Sequence, residues 1–145
     1  MYDDILIPTD GSDAVLEAID HGLDLAERHE ATVHVLHVVD QRQFLGAPDD
    51  VQEELKANLL SEGEQAVENL VGRATEAGLD VTSSVRIGIP HTDILDYIEE
   101  AGIDAVVMGT HGRTGRDRLT NLGSVTERVI KGASVPVLVV DIGSS

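Results

Sequence analysis

Apolar positions along this chain fall into two alternating rhythms. Asp4-Ile5-Leu6-Ile7-Pro8 is a short unbroken apolar run closed by proline, which predicts a buried strand. Residues 12–30 then place Val15, Leu16, Ile19, Leu23 and Ala26 at helical spacing with acids between them. Ser12 or Asp10 is placed to cap that helix. Residues 32–39, Thr-Val-His-Val-Leu-His-Val-Val, are rich in β-branched side chains and read as a second strand. Its His34 and His37 are three apart, so a strand sends them to opposite faces, which argues against a shared metal. Residues 41–48 read as a loop. A long helical segment follows from Asp49 to about Ala77, with Val51, Leu55, Leu59, Ala66, Leu70 and Ala74 on one side; Gly63 and Gly72 weaken it and Gly78 stops it.

The rhythm then repeats. Residues 81–87 form a third strand, partly polar and therefore expected at an edge. Pro90 or His91 opens a helix that carries Ile94, Leu95, Tyr97 and Ile98 and closes at Gly102. Residues 103–108 are a near-continuous apolar strand, and residues 109–122 a glycine-rich loop. A short helix spans residues 123–132, and Val135-Pro136-Val137-Leu138-Val139-Val140 is the last strand. The order is β-α-β-α-β-α-β-α-β with no internal linker, so residues 1–145 form one domain. Strands separated by helices must pair in parallel, with right-handed crossovers. The fold class is α/β, a doubly wound parallel sheet of five strands. Such sheets bind ligands beyond the carboxyl ends of their strands, where the winding reverses.

Composition narrows the function. The 145 residues include no cysteine, which removes disulfides, thiolate metal sites and thiol catalysis together. The acidic start Met1-Tyr2-Asp3-Asp4 does not read as a secretory signal, and no apolar run approaches the ~20 residues of a membrane helix, so a cytoplasmic location is expected. Twenty-seven acids against ten bases leave a formal charge of −17. A chain so charged repels nucleic acid and anionic membranes. Lys56 and Lys131 are its only lysines. Many carboxylates with almost no lysine suit a halophilic cytoplasm, where screening removes the self-repulsion. Five of the ten cations (Arg113, Arg116, Arg118, Arg128 and Lys131) lie between His111 and Lys131 beside two acids, so that stretch is +3 and the remainder −20. One small anion site fits this island better than a nucleic-acid face does.

Two strand ends carry unusual residues: Pro8-Thr9-Asp10-Gly11-Ser12 after the first strand, and Met108-Gly109-Thr110-His111-Gly112-Arg113-Thr114-Gly115 after the fourth, leading to Gly123-Ser124-Val125-Thr126. The second has the physics of a phosphate cradle. Glycines let backbone approach an anion. The helix starting at Ser124 offers free N–H groups and a positive dipole end. Ser124 and Thr126 add hydroxyls, and Arg113 adds charge. It is neither a Walker A loop nor the dinucleotide fingerprint, whose glycines are spaced differently and follow the first strand. A plainer explanation exists for each residue alone: Ser124-Val125-Thr126-Glu127 is a capping box, and Asp10 can cap the first helix. No metal-ligating residue is assigned. No Ser-His-Asp order has usable spacing, so an enzymatic reading has little support.

These segments resemble the universal stress protein family, of the UspA type. The likeness is carried by Ile5-Leu6-Ile7-Pro8-Thr9-Asp10-Gly11-Ser12, His37-Val38-Val39-Asp40, Val107-Met108-Gly109-Thr110-His111-Gly112, Gly123-Ser124-Val125-Thr126-Glu127-Arg128-Val129 and the final strand, in the family's order over essentially the whole chain. The resemblance implies a Rossmann-like sheet of order 3-2-1-4-5, similar to the adenine nucleotide alpha hydrolases. In one branch it implies ATP bound between strands one and four. That branch carries Gly-x2-Gly-x9-Gly-Ser/Thr; here ten residues separate Gly112 from Gly123, an extra residue that a loop absorbs cheaply. By this likeness Asp10 lies near the nucleotide with Pro8 and Thr9 beside it, and Val38 meets the adenine. Met108, Gly109 and Gly112 line the phosphate path, and Gly123, Ser124, Val125 and Thr126 hold phosphates through N–H and O–H donors.

The expected function is therefore a small ATP-binding regulatory protein of the stress response, with Mg²⁺ held mainly by the phosphates. A weak ATP hydrolase or phosphotransferase using Asp10 and His111, and a nucleotide-free dimeric module, are the alternatives. The resemblance also implies a homodimer through the last strand, an apolar edge without lysine. The charge makes its own prediction. Carboxylate repulsion is strong where the Debye length reaches ~30 Å, at 0.01 M salt. The melting temperature should climb from low salt to molar KCl, as followed by circular dichroism; a flat or falling curve would show that the acidity is no salt adaptation.

Overall fold

The computed structural model describes residues 2–10, 15–109 and 123–140. Its elements are β1 (Asp4–Thr9), α1 (Val15–His29), β2 (Thr32–Asp40), α2 (Arg42–Leu45), α3 (Asp49–Glu76), β3 (Val81–Gly88), α4 (Pro90–Ala101), β4 (Ala105–Gly109), α5 (Ser124–Gly132) and β5 (Val137–Val140). The strands form one parallel sheet in the order β3-β2-β1-β4-β5. The fold is the expected doubly wound α/β sheet, and β3 and β5 lie at its edges.

β1 is central, so both of its faces are covered, which is why it reads as an unbroken apolar run. Ile5 and Ile7 point to one side with Val33, Val35 and Val107, where Ile19 and Ala26 of α1 and Val67, Leu70 and Ala74 of α3 cover them. Leu6 points to the other with Leu36, Val38, Val106 and Met108, under Ile94, Tyr97 and Ile98 of α4 and Val129 of α5. β2 splits its histidines in the same way. His34 reaches Tyr97 on the α4 side, with Nδ1 2.8 Å from the hydroxyl, whereas His37 lies against Gly63 of α3. The expected separation of the two rings is what the strand produces.

Four boundaries differ from expectation, each for a local reason. The segment after β2 is not a plain loop. α2 forms there because Phe44 is buried, and because Asp40 accepts from the Arg42 N–H at 3.0 Å and from its guanidinium at 2.9 and 2.7 Å. β4 begins at Ala105, two residues late. Asp104 instead clasps the start of β1: its carboxylate accepts from the Asp3 and Asp4 N–H groups at 2.9 and 3.0 Å, and its own N–H donates to Asp4 O at 2.8 Å. β5 begins at Val137, because Pro136 has no N–H to offer, although its carbonyl still accepts from Val106 at 2.9 Å. The N-cap of α5 is Gly123, so Ser124 is the first helical residue and the expected Ser-x-x-Glu capping box is not formed. Helix ends behave as read: Gly78 and Gly102 take φ of +80° and +65°, the left-handed conformation that glycine adopts without strain.

Candidate functional site

At the carboxyl end of the sheet, the ends of β1, β2 and β4 come together with the start of α5. Between β1 and β4 the pairing is cut short by a missing hydrogen bond. Asp3 O accepts from Thr32 on the β2 side, at 2.9 Å, and Asp4 O from Asp104 on the β4 side, at 2.8 Å. This alternation carries along a strand, so the amide of residue 8 would face β4. Residue 8 is proline and has none. The ladder to β4 accordingly pairs Ile5 with Ala105 and Leu6 with Val106 and goes no further, whereas the ladder to β2 runs on to Thr9 and His37. Pro8 thus releases β4 from β1 at the switch point.

The sequence-predicted residues that are described lie at the carboxyl ends of β1, β2 and β4 and at the start of α5. Thr9 is buried and Asp10 half-buried at the exit of β1. Val38, on the register position after Thr9's partner His37, and Met108 are nearly buried apolar walls. Gly109 ends β4. The Thr126 hydroxyl donates to Gly109 O at 2.8 Å, tying the first turn of α5 to the end of β4. Thr126 was expected as a hydroxyl donor to phosphate; its proton is given to Gly109, and the side chain acts as a strut. Gly123 supplies no side-chain cap, so the Ser124, Val125 and Thr126 N–H groups of the first turn receive none from it. Ser124 is exposed and Val125 half-buried. Gly112 and Arg113, with Gly11, Ser12 and His111, lie outside the described residues.

One residue that pattern alone did not single out also touches the site. His37 Nδ1 stands 2.8 Å from Thr9 O, and a carbonyl only accepts, so Nδ1 carries the proton. Its signal in the sequence was a histidine at the end of a strand destined to flank β1. Farther out, the Arg42 guanidinium beside Asp40 holds its carboxyl below the usual range. At the opposite, amino end of the sheet, burial pushes the Tyr97 hydroxyl above its ordinary value. Among the described residues, no three His, Asp or Glu side chains gather closely enough to hold a metal ion. Among them too, no helix is long and apolar enough to cross a membrane.

The sequence profile of the universal stress protein family matches residues 1–141. The chain belongs to the universal stress protein family. It is 43% identical to the universal stress protein MJ0531 of Methanocaldococcus jannaschii over 97% of this chain and 82% of that one. Among solved structures it is similar to protein MJ0577, at a TM-score of 0.88 and 36% identity over 100% of this chain and 99% of the other. It is also similar to a universal stress protein solved in complex with cAMP, at a TM-score of 0.67 and 25% identity over 97% of each chain. The sheet order above is therefore that of a universal stress protein.

The role given to Pro8 is directly testable. In Pro8→Ala the amide introduced at position 8 should bond to β4 and extend the ladder. Hydrogen exchange should show that amide protected to the degree of Leu6; fast exchange would mean that proline is not what ends the pairing.

Proposed function

We propose that this universal stress protein is a small ATP-binding regulatory protein, a nucleotide-dependent switch or sensor of the stress response. The observation that carries the reading is the switch point itself, where the β1–β4 ladder ends at Leu6 and Val106. The glycine-capped start of α5 is braced to the end of β4 by Thr126. A cradle of this kind suits an anion, because N–H groups and the helix dipole aim at it without a competing side-chain cap. The relative in complex with cAMP supports an adenine nucleotide as the ligand class.

In this reading Val38 and Met108 receive the adenine, and Pro8, Thr9 and Asp10 flank the nucleotide where β1 leaves the sheet. Gly109, Gly112, Arg113, Gly123, Ser124 and Val125 hold the phosphates, and Thr126 acts through Gly109. Mg²⁺ would arrive on the phosphates, which supply most of its ligands. A weak ATP hydrolase or phosphotransferase would have to use Asp10 and His111 in the same pocket, and a turnover assay with an Asp10→Ala control separates it from the regulatory reading. The protein would work in a cytoplasm, and its −17 charge with two lysines suits a halophilic one. The ligand experiment is calorimetry with ATP at matched salt. Gly112→Val should put a side chain where the phosphates approach and weaken binding at least about tenfold, or 1.4 kcal/mol; unchanged affinity would remove the pocket.

We also read the protein as a homodimer through β5. That strand is last in the sheet, and Leu138 on it is 45% exposed. An apolar edge with unpaired N–H and C=O groups invites pairing with a second copy across a two-fold axis. Light scattering in molar salt should give about twice the 15.5 kDa chain mass, and Leu138→Asp should give the single mass. A wild-type chain that stays single at tens of micromolar would end the dimer reading and leave the nucleotide site untouched.

A further inference from the structure

A mid-helix glycine and a strand histidine meet beside the crevice, and neither is used in the reading above. α3 runs for 28 residues with Gly63 near its middle, where glycine disfavours the helix. The reason is its neighbour. A Cβ at Gly63 would overlap His37 Cδ2 and stand 3.0 Å from Nε2. The backbone of α3 therefore lies directly on the imidazole. The ring's other edge gives its Nδ1 proton to Thr9 O, at 2.8 Å. The residue is only 9% exposed, held between a helix backbone and a strand carbonyl. Thr9 is the register partner of His37 and the last residue of β1. Pro8 has ended the ladder on the β4 side by that point, while the ladder to β2 runs on to Thr9.

We propose that His37 is a positioning residue for the nucleotide crevice. Its Nδ1–H bond to the Thr9 carbonyl, enforced by the close passage of α3 at Gly63, sets the direction in which β1 leaves the sheet. It thereby fixes where Thr9 and Asp10 stand against a bound nucleotide. The proposal rests on the nucleotide-binding reading above. It makes α3 a mechanical neighbour of the site: whatever moves the helix at Gly63 moves the ring, and the ring moves the Thr9 carbonyl.

The test compares wild type with His37→Leu, His37→Asn and Gly63→Ala. ATP affinity is read by calorimetry, folding by urea unfolding, and the ring tautomer by long-range proton–nitrogen spectra. Wild type should show a protonated Nδ1 at His37. His37→Leu should weaken ATP binding about tenfold, the scale of one lost hydrogen bond with its geometry. His37→Asn, whose amide N–H reaches the place of Nδ1, should recover most of that loss. Gly63→Ala leaves the imidazole chemically intact, yet should weaken ATP comparably and shift the Nδ1 signal. Should His37→Leu not fold, Gly63→Ala decides. Equal losses in His37→Leu and His37→Asn would overturn the proposal, because bulk and not the donor would then matter. Unchanged ATP affinity in His37→Leu or in Gly63→Ala, with wild type binding ATP, would overturn the positioning role alone. A folded wild type that binds no ATP would overturn the binding reading and this inference with it.

Discussion

The structure depends on a strand that must be paired on both sides and then released on one. β1 sits between β2 and β4, and its Ile5, Leu6 and Ile7 are fully buried, Leu6 on one face and the isoleucines on the other. Every helix but the four-residue α2 contributes to covering a face of the sheet around it. A central strand of this kind has no free backbone group along its length, so it can present chemistry only where the pairing stops. Pro8 is where it stops toward β4. One missing N–H thus ends, on one side, the pairing of the most buried strand of the sheet.

The two ends of the sheet solve opposite problems. At the amino end the polar groups are closed on one another. Asp104 takes the Asp3 and Asp4 N–H groups, and Asp4 Oδ1 stands 2.9 Å from His34 Nε2. Tyr97 completes the far side of that ring, and the Arg86 guanidinium lies 5.1 Å over the tyrosine while bonded to Glu100 at 2.8 Å. A carboxylate only accepts, so a neutral His34 carries its proton on Nε2, whereas His37 carries one on Nδ1. The same residue type, three positions apart in one strand, is set in opposite tautomers by a carboxylate at one end and a carbonyl at the other. The remaining ion pairs, such as Arg28–Asp24 and Lys131–Glu127, are exposed and add little to stability. They organise the surface that carries the charge.

The five-stranded parallel α/β architecture was legible before any coordinates, because it follows from patterns with long reach, and the strand order was implied by the family resemblance. Period-two and period-3.6 apolar spacing sets the elements, and parallel pairing sets the architecture. What was not legible was decided by single side chains acting across the sheet. Phe44 turned an expected loop into α2 by finding a buried place that sequence spacing does not encode. Asp104 was expected inside a strand and instead closed the start of another, through contacts about a hundred residues apart in sequence. Ser124 fits a capping box on paper, but Gly123 occupies the cap position, and Thr126 turns its hydroxyl to Gly109. In the candidate site, the neighbours of Gly109 could be anticipated from the order of motifs; the occupation of the Thr126 hydroxyl could not.

Gly63 makes the same point from the other direction. Read alone, it is a weak spot in a long helix, and Gly72 reads identically. The structure separates them: a Cβ at Gly72 would meet nothing within 4 Å, while one at Gly63 would strike His37. Helix propensity therefore gives Gly72 a cost with no packing return, and gives Gly63 a cost set against the close approach of α3 to β2. That approach brings the helix backbone onto the ring whose Nδ1 bonds the Thr9 carbonyl. Long-range packing, and not local preference, decides which of the two glycines lies against His37.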